Sequence, residues 1–263
     1  MSKRKPAINV RDYNRYAWDH QVEIGNKFTV PVGPEVIAAA RRGEFSVLLT
    51  ETKPVPRTWF PDSFQDLDIL GLACGGGQQG PVFAAQGANV TIFDNSLAQL
   101  GRDEQVATRE NLFIRTVEGD MRDLSAFASE SFDLVFHPVS NVFCPEVRPV
   151  WCEAYRVLRH GGLLLAGLAN PVYYMFGTLL EEQKTLKVRY PIPYSDLANF
   201  SPEELQVHME EGTPLEYGHS LTDLIAGQTD AGFHITGFYE DICPDSPISK
   251  YHPAYIATRA LKP

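Results

Sequence analysis

The chain has 263 residues, of which 44% are hydrophobic and 21% charged, close to ordinary globular usage, so a disordered polymer is excluded. The length suits one large domain or two small ones. The formal net charge of −10 argues against a general nucleic-acid binder, which would need a basic face. Most of the excess is local: residues 201–250 hold ten acids and one lysine, which reads as a solvated surface.

In chain order, the first 60 residues are punctuated by proline and show no regular beat. Met1-Ser-Lys-Arg-Lys-Pro6 is charged and no apolar run follows it, so no signal peptide is expected. Tyr13-Asn-Arg-Tyr-Ala-Trp18 is an aromatic patch ahead of the core. From Asp68 a regular alternation sets in. Strand-length apolar runs fall at Asp68–Leu72, Asn89–Phe93, Leu112–Glu118, Phe132–Phe136 and Leu163–Leu168. Helical stretches lie between them at Gly80–Gln86, Ser96–Glu110, Ser125–Ser129 and Pro145–Leu158. In the last of these, Val147, Val150, Trp151, Ala154, Val157 and Leu158 share one helical face. Strands alternating with helices predict a parallel sheet covered on both faces.

Leu163–Leu180 is 18 residues without a charge, but Asn170-Pro171 divides it, and the first half reads as a buried strand rather than a membrane span. The beat lapses over 171–217, which carries Tyr173, Tyr174, Tyr190, Tyr194 and Phe200. A helix over Leu221–Ala231 and strands His234–Tyr239 and Tyr255–Ala260 close the chain. The link between those strands is too short for a crossover helix, so they are expected to pair antiparallel. The expected fold is α/β and Rossmann-like. It has a seven-stranded sheet, five strands parallel plus an antiparallel terminal pair, with helices on both faces. The expected layout is an N-terminal lid or extension over 1–65 and a core over 66–263, with a cap inserted at about 171–220.

The strongest signal is Asp68-Ile-Leu-Gly-Leu-Ala-Cys-Gly-Gly-Gly-Gln-Gln-Gly80, a strand entering a glycine cluster ahead of a helix. Glycine permits a sharp turn and close approach of a ligand to bare main chain, with helix-start amides facing it. Asp94 ends the next strand, where a carboxylate can accept both hydroxyls of a ribose. Together they predict a cofactor containing a nucleoside. Gly75-Gly-Gly77-Gln-Gln-Gly80 also spells the dinucleotide fingerprint, which keeps an NAD-dependent oxidoreductase open as an alternative. No tyrosine is followed four residues later by lysine, so one common hydride-transfer pair is missing. Cys74, Cys144, Cys152 and Cys243 form no C-x-x-C pair and no zinc-finger spacing. They read as reduced thiols of a cytoplasmic protein, with no metal site.

Six motifs in order make the chain resemble the class I S-adenosylmethionine-dependent methyltransferases over most of Asp66–Pro263. These are Leu70-Gly-Leu-Ala-Cys-Gly-Gly-Gly77, Asp94-Asn-Ser, Glu118-Gly-Asp-Met121, Ser131-Phe-Asp-Leu-Val-Phe136, Val157-Leu-Arg-His-Gly-Gly162 and Ala231-Gly-Phe233. Two positions depart from the family pattern. Gly71 stands where the family often has an acid, and Ala73 stands at the first loop glycine. The resemblance implies S-adenosyl-L-methionine as cofactor and in-line methyl transfer to a small-molecule acceptor, with neither nucleic acid nor membrane as partner. A cofactor-binding module without catalysis is a further alternative.

Carried over by position, the resemblance places Ala73, Gly75 and Gly77 against the methionine part and Asp94, with Asn95 beside it, on the ribose. It places Asp120 and Met121 at the adenine, and His137 to Asn141 near the sulfonium and the acceptor. His137 and His219 are the candidate catalytic bases, since an imidazole titrates near neutrality. Tyr13 and Trp18 are candidates to fold over the donor, and the aromatics of 171–217 to cap a fairly apolar acceptor.

Overall fold

In the computed structural model, residues 8–176 and 186–263 are described. The chain start read above and positions 177–185 of the cap lie outside them. Helix α1 (Val10–Glu23) is the first element of the described residues, capped by the Asn9 side chain. It is followed by α2 (Pro34–Ala40) and a loop that crosses the carboxyl edge of the sheet. The core then runs β1 (Asp68–Leu72), α3 (Gln79–Ala84), β2 (Asn89–Asp94), α4 (Leu97–Glu110), β3 (Ile114–Glu118), β4 (Phe132–His137), α5 (Arg148–Val157) and β5 (Leu158–Ala169). The cap holds a short two-stranded sheet, β6 (Tyr194–Ser195) with β7 (Tyr217–Gly218), around α6 (Asp196–Asn199) and α7 (Pro202–Glu210). A π-turn (Thr222–Ala226), α8 (Gly227–Asp230), β8 (His234–Asp241) and β9 (Tyr255–Leu261) complete the chain.

The seven-stranded sheet has the order β3-β2-β1-β4-β5-β9-β8. β1 to β5 pair parallel, and the terminal strands pair antiparallel. The last strand inserts between β5 and β8 and is antiparallel to both, so β9 alone is reversed and β8 runs with the first five. A chain returning by a tight link has to reverse, and the slot beside β5 buries it on both sides. One apolar cluster fills each face of the sheet. The second is built on the α5 stripe, in which Val150, Trp151, Ala154 and Val157 are fully buried.

Three expectations change. The Ser125–Ser129 segment forms turns, not a helix. Its backbone groups are met by side chains of α5 instead: Glu153 accepts from the Leu124 amide, and Arg156 donates to the Leu124 and Phe127 carbonyls. The Leu221–Ala231 helix is split between a π-turn and α8. Ahead of Asp68, where the sequence shows no regular beat, the 14-residue helix α1 forms and packs on α4. There Asp19 accepts from the Ser96 hydroxyl at 2.6 Å and from the Ala98 amide at 3.1 Å. Among the described residues no helix is long and apolar enough to cross a membrane.

Candidate active site

At the carboxyl edge of the sheet, a cavity of about 320 Å³ lies beneath α1 and the cap. That is at the lower end of the range for small-molecule sites, ~300–1,000 Å³. One half of its wall comes from the ends of β1, β2 and β3: Ala73 to Gly75, Phe93 to Asn95 and Gly119 to Arg122. The other half comes from Leu48 to Glu51, the turn after β4, Tyr173, Tyr174, Glu216 and Tyr255. Val10, Arg11, Asn14 and Trp18 of α1 close it.

The loop after β1 is wound tightly. Ala73 takes the left-handed region at φ 47°, a conformation costing a non-glycine residue roughly 1–2 kcal/mol. Its amide donates to the Phe93 carbonyl at 2.7 Å, which ties the loop to β2. A Cβ at Gly75 would lie 2.7 Å from the Gln99 Cβ and 3.1 Å from the Asp94 Oδ2, so glycine is required there. The Gly75 amide donates to Asp94 Oδ2 at 2.9 Å, and the Ser96 amide to Asp94 Oδ1 at 3.0 Å. Burial pushes the Asp94 carboxyl up, opposed by these amides. At Gly71, the departure in β1, a Cβ would sit 2.5 Å from Ile92 Cδ1, so an acid there would require the end of that side chain to shift.

The remaining loop amides do not face the cavity as expected. Those of Gly76 and Gly77 both donate to Asp103 Oδ2, at 3.0 and 3.1 Å, and α3 has only six residues. Asp103, fully buried on α4, is pushed up to about 8, chiefly by burial and against the pull of the Gly77 amide. Gly77 is therefore not on the wall. With the Gly76 and Gly77 amides taken up by Asp103, the loop has fewer donors left for a pyrophosphate, so the dinucleotide alternative loses its main physical support.

Asp94, Asn95, Asp120 and Met121 reach the cavity together with Ala73, Gly75 and Trp18. Asn95 exchanges hydrogen bonds with Arg11, at 2.8 and 3.2 Å. Burial raises the Asp120 carboxyl, but Arg122, at 2.6 Å, outweighs this and holds it low.

The structure corrects the remaining site expectations. His137 is fully buried and off the wall; it donates from Nδ1 to the Leu72 carbonyl at 2.8 Å, and burial lowers it to about 4. His219 also lies off the wall and is lowered by burial. Its Nε2 meets the Asn141 carbonyl at 3.0 Å. The Asn141 amide is turned to the Gly167 carbonyl at 2.7 Å. All three residues fasten the turn after β4, whose Pro138 to Ser140 and Val142 to Pro145 do line the cavity. Tyr13 points away and donates to the Thr213 carbonyl at 2.9 Å.

Sequence reasoning passed over Leu48 to Glu51. This segment is strapped across the sheet edge by the Leu49 carbonyl, which accepts from Val139, and by Asp241. Asp241 accepts from the Thr50 hydroxyl, the Thr52 hydroxyl and amide, and the Lys53 amide. Gly167 on β5 makes the crossing possible, because any Cβ there would strike the Leu49 carbonyl. Only the glycine marked this crossing in the sequence. Among the described residues no cluster of three or more His, Cys, Asp or Glu side chains could hold a metal. All four cysteines are free.

A family profile described as "Methyltransferase domain" matches residues 70–166. The chain is 49% identical over 250 residues to "Uncharacterized methyltransferase YbaJ" of Bacillus subtilis (strain 168), covering 95% of this chain and 97% of that one. It is 25% identical to a sterol 24-C-methyltransferase of Gibberella zeae, over 68% of this chain and 43% of the relative. Two solved structures share the fold. One is a putative S-adenosylmethionine-dependent methyltransferase from Listeria monocytogenes (TM-score 0.61, 18% identity, 86% of this chain and 99% of that one). The other is a geranyl diphosphate C-methyltransferase from Streptomyces coelicolor A3(2) (TM-score 0.62, 12% identity, 98% of this chain and 100% of that one).

Proposed function

The chain belongs to the class I S-adenosylmethionine-dependent methyltransferases, and from that premise we propose that it methylates a small-molecule acceptor by in-line displacement. S-adenosylmethionine supplies the electrophilic methyl carbon when bound. The observation that carries the reading is the Gly75–Asp94 contact of 2.9 Å on the wall of the cavity. It sets bare main chain and a carboxylate side by side at the ends of β1 and β2, where β1 and β2 pair in parallel register.

The residues present fit the cofactor. Asp94 would accept the ribose hydroxyls, with Asn95 beside it held by Arg11. The main chain of Ala73 to Gly75 would lie against the methionine part, where Gly75 leaves the needed room. Asp120 and Met121 would flank the adenine. His137, Asn141 and His219 would support the turn after β4, and Gly77 would anchor the loop to Asp103. Trp18 would close the donor from α1, packed edge-on against Phe143 at 5.0 Å, and Tyr13 would tie α1 to the cap. With residues 1–65 as lid and 171–220 as cap, much of the rate comes from alignment and exclusion of water.

The acidic surface and the size of the cavity support a small acceptor over a nucleic acid. A crystal soaked in S-adenosylhomocysteine tests the reading: the nucleoside is expected against Asp94 with the amino-acid tail along Ala73 to Gly75. An empty cleft, or NADH bound there in preference, would overturn it.

A further inference from the structure

Four carboxylates face the cavity, and three of them are satisfied by N–H donors. Asp94 has two backbone amides, Asp120 has Arg122, and Glu51 has Lys27 at 2.8 Å together with the Tyr255 hydroxyl at 3.2 Å. Glu216 differs. Its Oε2 accepts the Tyr174 hydroxyl at 2.8 Å, and among the described residues neither oxygen meets a cation or any N–H. Glu216 therefore keeps free acceptor capacity on the cavity wall.

Its position is fixed from several sides. The Glu216 amide donates to Asp196 Oδ2 at 2.7 Å, and its carbonyl accepts from the Asp196 amide at 3.2 Å. Next to it, Leu215 is gripped by Asn14 of α1, which accepts from the Leu215 amide at 2.8 Å and donates to its carbonyl at 3.0 Å. The surrounding wall is aromatic: Tyr173, Tyr174, Tyr255 and Phe143.

We propose that Glu216 is a catalytic carboxylate on the acceptor side, taking the proton of an O–H or N–H nucleophile carried on an aromatic small molecule. The inference rests on the methyl-transfer reading above. As the nucleophile bonds the methyl carbon, the carbon–sulfur bond breaks and its electron pair returns to sulfur, leaving a neutral thioether. The proton of the nucleophile passes to the free oxygen of Glu216 and then to water. Tyr174 is a positioning residue that holds the other oxygen.

The electrostatics match the role. Burial and the neighbouring charge of Asp196 push Glu216 up to about 7, against the Tyr174 bond. Tyr174 faces it from the turn after β5 and Asp196 from α6. Behind Asp196 stand Tyr194 of β6 at 2.6 Å and His208 of α7 at 3.7 Å, and Tyr13 of α1 feels the same charge. A base near neutrality works best at neutral pH.

The test uses the whole protein with tritium-labelled methyl donor and three probes: para-ethylphenol, para-ethylaniline and the aprotic para-ethylanisole. S-adenosylhomocysteine binding is measured in parallel. The expected result is turnover of a protic probe but not of para-ethylanisole. Glu216→Gln should lower kcat by at least ~100-fold, with KM and S-adenosylhomocysteine affinity nearly unchanged. The acid limb of the kcat profile should vanish in Glu216→Gln and move to higher pH in Tyr174→Phe, which keeps the carboxylate but loses the bond. Wild-type turnover or an intact acid limb in Glu216→Gln would overturn the proposal. So would inertness of both protic probes while S-adenosylhomocysteine binds. Failure of S-adenosylhomocysteine to bind the wild type would instead remove the methyl-transfer reading beneath it.

Discussion

The two halves of the cavity are built by different rules. The donor half comes from the ends of β1, β2 and β3, and its key contact, Gly75 to Asp94, spans 19 residues. Its geometry follows from parallel strand order alone, since adjacent strand ends must lie side by side. The acceptor half is closed by contacts such as Asn14 to Leu215 and Tyr255 to Glu51, 201 and 204 residues apart. It therefore depends on how α1, the 48–51 strap and the cap pack on a finished sheet. The donor half is fixed by topology, whereas the acceptor half is free to change while the sheet stays the same.

Substitutions can break or sharpen this contrast. The largest effect is expected at Asn14, whose side chain satisfies both polar groups of Leu215 and the Phe143 carbonyl. Asn14→Ala should cost about 3 kcal/mol in denaturant unfolding by leaving these groups unpaired, and should raise hydrogen exchange in α1 and β7. Exchange loosened equally at the β1 loop would blur the division.

The halves should also answer to pH with opposite sign. Asp241, which ties down the strap on the acceptor side, is held at about 2: burial raises it, but the Thr52 and Thr50 hydroxyls and two amides outweigh that. A depressed carboxyl stabilises above its unfolded value, so about 2 kcal/mol should disappear as pH falls from 4 to 2. Asp241→Asn should lack this loss. Asp103, under the donor loop, is raised to about 8. Its ionisation costs stability, so the wild type should weaken by ~1 kcal/mol or more as pH climbs from 4 to 8. Asp103→Asn keeps an acceptor for Gly76 and Gly77 and should flatten that slope. Equal slopes in variant and wild type would show that Asp103 ionises freely. The smallest effect belongs to Tyr13→Phe, which removes one half-buried bond to Thr213 and should cost ~1 kcal/mol with S-adenosylhomocysteine affinity unchanged.

What the sequence revealed follows the same division. Strand runs, the glycine loop and Asp94 are local patterns, and the sheet puts such patterns next to one another. Asp103 was missed because a carboxylate inside α4 reads as a surface charge until the helix is docked. Helix α1 carried a visible signal, the Asn9 cap, but its polar face hid the periodicity. The reading of His137 and His219 as bases came from their place after β4 and at the end of the insertion. Ring orientation decided otherwise, because Leu72 and Asn141 offer carbonyls on the protein side. Glu216 and Glu51 look like unremarkable acids in the sequence, and only the packed cap and strap bring them to one cavity.

Calorimetry of S-adenosylhomocysteine against the wild type and Asp94→Ala tests the account most directly. Saturable binding to the wild type and a loss of at least ~30-fold in the variant, about 2 kcal/mol, are expected, together with a lower thermal midpoint because the Gly75 and Ser96 amides lose their acceptor. Equal affinity for the two proteins would contradict it.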